Sequence, residues 1–213
     1  MVRFITFEGG DGVGKSTQIT FLESYLTARG YSCVITREPG GTSLGESIRR
    51  ILLERDSRPL DSSTELFLYL ADRAHHMKQV VSPALAQGRV VLCDRHTDST
   101  LAYQGYGRGI DLKLLRSLNE FASFGMAPDL TFLLDCPVEL GLARIAKRQS
   151  HSEVIDGPDR FESEATDFHE RVRQGFLHIA AEEPARICVI DAARSEEEVF
   201  QTVKQVIEQK IPA

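Results

Sequence analysis

Gly9-x-x-x-x-Gly14-Lys15-Ser16, within FEGGDGVGKSTQ, satisfies the pattern GxxxxGK[ST]. Glycines at 9, 10, 12 and 14 allow positive φ and close approach. The backbone N–H groups from Gly9 and Gly10 through Asp11, Gly12, Val13, Gly14, Lys15, Ser16 and Thr17 can therefore converge on one concavity. An amphipathic stretch begins at Lys15 and aims the positive end of its dipole at the same place. The ligand expected is a polyphosphate, with Lys15 on the β- and γ-phosphates and the Ser16 hydroxyl on Mg²⁺.

Such a loop serves switches, motors and kinases alike, so other residues must name the reaction. No NKxD segment is present to read guanine, and no second ATPase-like module follows. TREPGGT (36–42), LYLADRAHH (68–76) and DRHTDSTLAYQG (94–105) bring Arg37, Arg73 and Arg95 toward the carboxyl ends of apolar runs, where open α/β sheets bind ligands. On a chain of formal net charge −6, arginines gathered there point to a second anion. A guanidinium fork suits a phosphate, and a carboxylate beside a phosphate has a metal or a sugar hydroxyl as its natural partner. For Arg37 and Arg95 a structural ion pair is the competing reading. Asp94 either holds metal-bound water or caps a helix.

Short β-rich runs at 3–8, 32–36, 89–93, 130–135 and 186–190 alternate with stretches of helical periodicity at 15–29, 43–54, 62–87, 111–124, 137–149, 162–183 and 195–210. This alternation predicts a three-layer α/β fold, a five-stranded parallel sheet flanked by helices, in a single domain over 1–213. Ser195 is placed to cap the last helix, and Val199, Val203, Val206 and Ile207 share its buried face. The irregular segment 149–160 reads either as a functional lid, spanning about 144–162 with its helical flanks, or as a solvated surface loop.

The acidic balance argues against nucleic acid and anionic membranes as partners, and no apolar run approaches the ~18 residues of a membrane span. MVRFITFEG lacks the regions of a signal peptide, so a cytoplasmic protein is expected. Cys33, Cys93, Cys136 and Cys188 form no CxxC pair and read as reduced core thiols.

Through the glycine loop, REPGGT, the FLYLADR segment, DRHTDSTLAYQG, the FLLD strand and DRFE, the chain resembles the bacterial thymidylate kinases over nearly its whole length. The resemblance implies a nucleoside monophosphate kinase fold, ATP-dependent phosphorylation of dTMP to dTDP with Mg²⁺, and a homodimer. It implies Arg95 on the acceptor phosphate and Asp11 near the deoxyribose 3′-hydroxyl and the metal. It sets Arg73, Ser99, Thr100 and Gln104 around the thymine edge, Tyr103 against the sugar 2′ position, and Glu38 and Pro39 on the loop lining the acceptor pocket. Where the family stacks phenylalanine on thymine this chain has Tyr69, with Phe67 as the competing stacker, and where the family has tyrosine or phenylalanine after Asp-Arg it has His96.

The acceptor phosphate is already anionic, so no general base is required and catalysis is alignment plus neutralisation. The glycine loop carries no arginine at its middle positions, which turns attention to Arg148, with Arg144 as the alternative and Lys147 nearby. Arg160 is either a third candidate or the partner of Glu162 or Glu164. The other functions open to the sequence are a kinase for another nucleotide or a deoxynucleoside, and a non-catalytic ATP-binding regulatory module.

Overall fold

A computed structural model describes residues 2–53, 60–150, 160–162 and 164–211. Five strands, β1 (Phe4–Glu8), β2 (Cys33–Arg37), β3 (Val90–Asp94), β4 (Leu130–Asp135) and β5 (Ile187–Asp191), form one sheet in the order β2-β3-β1-β4-β5. Every pairing is parallel. The strands lie within a residue of their expected bounds.

The central strands are buried on both faces, and their side chains divide with period two. Ile5, Phe7, Leu92, Phe132 and Leu134 pack on one side with Leu22 and Leu26 of α1 (Lys15–Ala28) and Val199, Val203 and Ile207 of α9 (Glu196–Lys210). Phe4, Val91 and Cys93 face the other way, toward Met77 and Val81. Leu133 joins that second layer through Leu66, Leu115, Phe168 and Phe176, contributed by α3 (Ser62–His76), α6 (Leu112–Ala122) and α8 (Thr166–Glu182). α2 (Ser43–Leu53) packs on α3, and α7 (Val138–Ser150) on α8. Ser195 caps α9 in a full capping box with Glu198. The four cysteines are free, and among the described residues no helix is long and apolar enough to cross a membrane.

Three expectations need correction. The helix expected over 62–87 is α3, then a π-helical turn at Met77–Val81, then α4 (Ser82–Ala86); the widened turn is where Met77 and Val81 reach the sheet. The helix expected from 162 starts at Thr166. Residues 97–107, left without an element above, are helical: α5 (Thr97–Thr100) runs on into a π-helical stretch at Leu101–Gly107. Of the expected lid, 151–159 lies outside the described residues.

Candidate active site

β1 delivers the chain into the glycine loop at its carboxyl end, and two glycines there have no substitute. Gly9 has φ 129°, and a Cβ on it would sit 2.2 Å from the Leu134 carbonyl oxygen. Gly12 has φ 74°, and its Cβ would meet the Gly141 carbonyl oxygen of α7 at 2.1 Å. The loop is thus wedged between β4 and α7 with backbone against backbone. Lys15 folds back under it, its Nζ donating to the carbonyls of Gly10 at 2.8 Å and Gly9 at 3.2 Å. Burial pulls the Lys15 ammonium down to about 8, and neighbouring Arg95 adds to the effect. Val13 turns its side chain into the core, while its backbone, with Asp11, Gly14, Ser16 and Thr17, lines a cleft of about 590 Å³.

The Ser16 Oγ donates to Asp94 Oδ2 at 3.2 Å, and Asp94 Oδ1 is buried with no hydrogen-bond partner among the described residues. A hydroxyl and a spare carboxylate oxygen at the loop are hard donors that suit Mg²⁺, which keeps several waters and takes further ligands from phosphates. Among the described residues no group of three or more His, Cys, Asp and Glu could hold a metal. Asp94 caps no helix, since the residue at the start of α5 is His96.

Arg95 follows β3 at φ 69°, a left-handed conformation uncommon for a side chain of its size. That turn sends its guanidinium back over the glycine loop. Nη1 donates to the Gly9 carbonyl at 3.0 Å and to Ser99 Oγ at 3.2 Å, and Nη2 to Asp11 Oδ1 at 2.5 Å. The group lies 5.0 Å above the Tyr103 ring, whose hydroxyl donates to Asp11 Oδ2 at 2.9 Å. Burial alone would raise the Asp11 carboxyl; Arg95 and Lys15 outweigh it and hold Asp11 below its ordinary value.

Behind Arg95, Glu8 accepts from Ser99 Oγ at 2.5 Å and from the His96 N–H at 2.7 Å. Burial, with Asp98 nearby, pushes its carboxyl up to about 7. A carboxyl raised from about 4.5 to about 7 binds a proton in the fold that it lacks in the unfolded chain across that window, so its contribution to stability falls as pH rises through it. Glutamine keeps both contacts with one of them reversed: its Oε1 accepts from the His96 N–H, and its Nε2 donates to Ser99 Oγ, whose own proton turns elsewhere. The stability of Glu8→Gln relative to the unmodified protein should therefore rise between pH 5 and pH 7.5; a difference independent of pH in denaturant titrations would contradict this.

A second pocket, beside the cleft, is built on Arg73, 1% exposed. Its Nε donates to Glu38 Oε2 at 2.8 Å, Nη1 to Asn119 Oδ1 at 2.6 Å and Thr100 Oγ1 at 3.0 Å, and Nη2 to the His96 carbonyl at 3.0 Å. The other Glu38 oxygen meets the Nδ1 atoms of both His76 at 2.8 Å and His96 at 3.0 Å. Burial opposes ionisation of Glu38, and His96 with Arg73 overrides it and keeps the carboxyl well below its usual range. Pro39, Tyr69, Ser99, Tyr103 and Gln104 line the same pocket. Phe67 is 64% exposed and does not line the pocket, so of the two candidate stackers Tyr69 is the one that faces it.

Three lining residues were missed by sequence reasoning: Arg49 on α2, which donates to the Pro39 carbonyl at 3.0 Å and borders both the pocket and the cleft, Leu53 at the end of the same helix, and Phe161. Arg49 sits in an ordinary amphipathic helix that gives no signal of it. Phe161 lay in the quoted DRFE with no role given. Arg37, expected to converge on the acceptor, reaches the cleft but pairs with Glu46 at 2.7 Å.

Arg144 and Arg148 of α7 both border the cleft opposite Lys15. Arg144 donates to the Ala192 carbonyl at 2.9 Å, whereas Arg148 is mostly exposed, 3.7 Å from Glu162. Arg160 pairs with neither Glu162 nor Glu164. Its partner is Glu65 of α3, because the chain at 160–162 lies against α3, and Glu164 is taken by Arg108 at 2.7 Å.

The thymidylate kinase family profile matches residues 7–203. The chain belongs to the thymidylate kinase family. A thymidylate kinase from Desulfovibrio desulfuricans is 54% identical over 96% of this chain and 94% of its own, and one from Solidesulfovibrio magneticus is 52% identical over 96% and 98%. The crystal structure of a thymidylate kinase from Ehrlichia chaffeensis superposes with a TM-score of 0.78 at 37% identity, covering 97% of this chain and 98% of that one. Thymidylate kinases transfer a phosphoryl group from ATP to dTMP with Mg²⁺, forming dTDP, and that is the activity of this chain. The His96 ring packs edge-on to Phe4 at 5.1 Å and adds a donor to Glu38.

Proposed function

We propose that phosphoryl transfer takes place over the Gly9 carbonyl. Lys15 and Arg95 both donate to that one oxygen, at 3.2 and 3.0 Å, from the two sides of the loop. Two cations sharing a carbonyl put the donor and acceptor anions next to each other, and this observation carries the reading. Lys15 takes the β- and γ-phosphates of ATP, supported by the N–H groups of the glycine loop and the start of α1. Arg95 takes the dTMP phosphate and exchanges its Asp11 contact for it. Asp11, so released, faces the sugar 3′-hydroxyl.

Glu38, with Arg73, Thr100 and Gln104, holds the base edge, and Tyr69 supplies the stacking face. Ser16 and Asp94 hold Mg²⁺, with Asp11 close by; the ion, when bound, neutralises charge on the transferring group. No proton has to be removed from the acceptor, so the chain's own task is alignment and charge stabilisation.

The test is ADP production from ATP and Mg²⁺ with each nucleoside monophosphate in turn. dTMP should be fastest, and turnover no better than with AMP, CMP or GMP would reject the reading. The sugar preference rests on Tyr103, which is held against Asp11. Tyr103→Ala should relax discrimination against the ribose form of the acceptor, and unchanged discrimination in that assay removes the role.

Arg148 is the less tightly held of the two α7 arginines: it is mostly exposed at the cleft and 3.7 Å from Glu162, whereas Arg144 is hydrogen-bonded to the Ala192 carbonyl. Charge spreads over the equatorial oxygens during transfer, and a guanidinium brought there accelerates reaction steeply. Arg148→Ala should lower kcat by at least about tenfold with little change in dTMP affinity. Equal, small losses from Arg144→Ala and Arg148→Ala would leave Lys15 and the metal as the charge stabilisers.

The chain acts as a single domain with α7 leading into its lid, in the cytoplasm, and as a homodimer. The dimer is supported by exposed Leu44 and Ile51 on α2, Phe67 on α3 and Phe121 on α6, three helices that pack in sequence. A monomeric mass in sedimentation at micromolar concentration would overturn it.

A further inference from the structure

We infer that Glu65 is a positioning residue that sets which base the acceptor pocket takes, an inference that rests on the reading of that pocket given above. Glu65 is 1% exposed on α3, one turn before Tyr69. Its Oε1 accepts from Gln104 Nε2 at 2.9 Å and Arg108 Nε at 3.3 Å, and its Oε2 from Arg108 Nη2 at 3.2 Å and from Arg160. Only the amide NH₂ of Gln104 can donate to a carboxylate, so this contact fixes the orientation of the amide. Nε2 is committed to Glu65, and Oε1, in a side chain that lines the pocket, accepts no hydrogen bond among the described residues. Gln104 is thereby made an acceptor.

The rest of the polar wall has a defined character too. Thr100 Oγ1 receives Arg73 Nη1, and the guanidinium is donor-only. A donor at Arg73 and an acceptor at Gln104 match a ring that presents a carbonyl beside an N–H, as thymine does. They oppose cytosine, which presents an amine beside an unprotonated nitrogen. A site built to satisfy one pattern leaves buried groups unpaired with the other, which is the strong form of discrimination.

Glu65 has a second hold on the pocket. Arg160 is fastened to it, and the next residue, Phe161, lines the pocket with its ring 5.7 Å from Tyr103 and 6.3 Å from Tyr69. Arg108 completes the clasp, its guanidinium 5.5 Å above the Phe161 ring. One carboxylate therefore orients the reading amide and seats the apolar wall beside it.

The experiment compares the intact protein with Glu65→Gln, Glu164→Gln and the exchange Glu65→Gln/Gln104→Glu, measuring kcat and KM for dTMP and dCMP together with thermal unfolding. In Glu65→Gln the facing amides can pair either way round. The dTMP over dCMP preference in kcat/KM should fall by about tenfold or more, chiefly through KM for dTMP, with KM for ATP unchanged. Glu164→Gln breaks only the outer contact of Arg108 and should keep the full preference. The exchange keeps the charge in the cluster and an acceptor at 104, and should recover most of the preference even where the single variant is poorly folded. An unchanged preference in Glu65→Gln, an equal loss in Glu164→Gln, or an exchange no better than the single variant overturns the inference. Failure of the unmodified protein to phosphorylate dTMP would instead strike the function on which it rests.

Discussion

Lys15→Ala lowers kcat for phosphoryl transfer by about 10²–10³-fold while leaving the fold intact. The first half follows from position: the ammonium sits beneath the glycine loop, shares the Gly9 carbonyl with Arg95, and is the cation proposed above for the donor phosphates. The second half follows from its electrostatics. Burial has already pulled this ammonium down to about 8, so its charge is held against desolvation and contributes little to stability. Of the two carbonyls it leaves, that of Gly9 keeps Arg95 Nη1 as a donor at 3.0 Å, and that of Gly10 is only partly buried and can take water instead. Single-turnover kinetics with circular dichroism would check both halves. Near-normal transfer in a folded variant would show that the loop N–H groups and the metal suffice.

Arg73→Ala should destabilise the protein by about 3–5 kcal/mol and abolish dTMP binding. Neither Arg73 nor Glu38 has more than 2% of its side chain exposed, and the guanidinium answers acceptors on Glu38, Thr100, Asn119 and the His96 carbonyl together. Its removal strands Glu38, whose remaining partners are two histidines on one oxygen. An uncompensated buried carboxylate is among the few single changes that reach this size. Urea unfolding against the unmodified protein would measure it. A loss below about 1 kcal/mol would mean that water enters and solvates Glu38.

The glycine loop and the five strands were legible because each rests on a local rule: residue types at fixed spacing, or short apolar runs between helical stretches. The acceptor helix at 97–107 was not. HTDSTLAYQGYG has threonines, serine and glycines of low helical propensity, and almost all of it is buried, so no polar face alternates with an apolar one. Tertiary packing of Leu101, Tyr103 and Gln104 on α3, α6 and α8 makes it helical. Arg73 was read as a base contact, and its second role as the centre of a buried network depended on Asn119, some forty residues away. The partner of Arg160 was misjudged for the same reason, since nearby glutamates in sequence competed with a distant one in space. Arg49 and Phe161 enter the site only through the way α2 and the chain at 160–162 lean on α3.

The meeting of Gly12 with Gly141 has a mechanical consequence. With no side chain on either residue, α7 rests directly on the nucleotide loop, backbone against backbone, and any tilt of the helix would pivot there. Arg148 lies seven residues along the same helix, about 10 Å out at 1.5 Å per residue. A tilt of about ten degrees there would swing the guanidinium by roughly 2 Å, comparable to the step from standing beside an anion to bonding with it. A methyl group at either glycine would drive the two backbones apart, so the seating of α7 and the shape of the glycine loop cannot be varied independently in this protein.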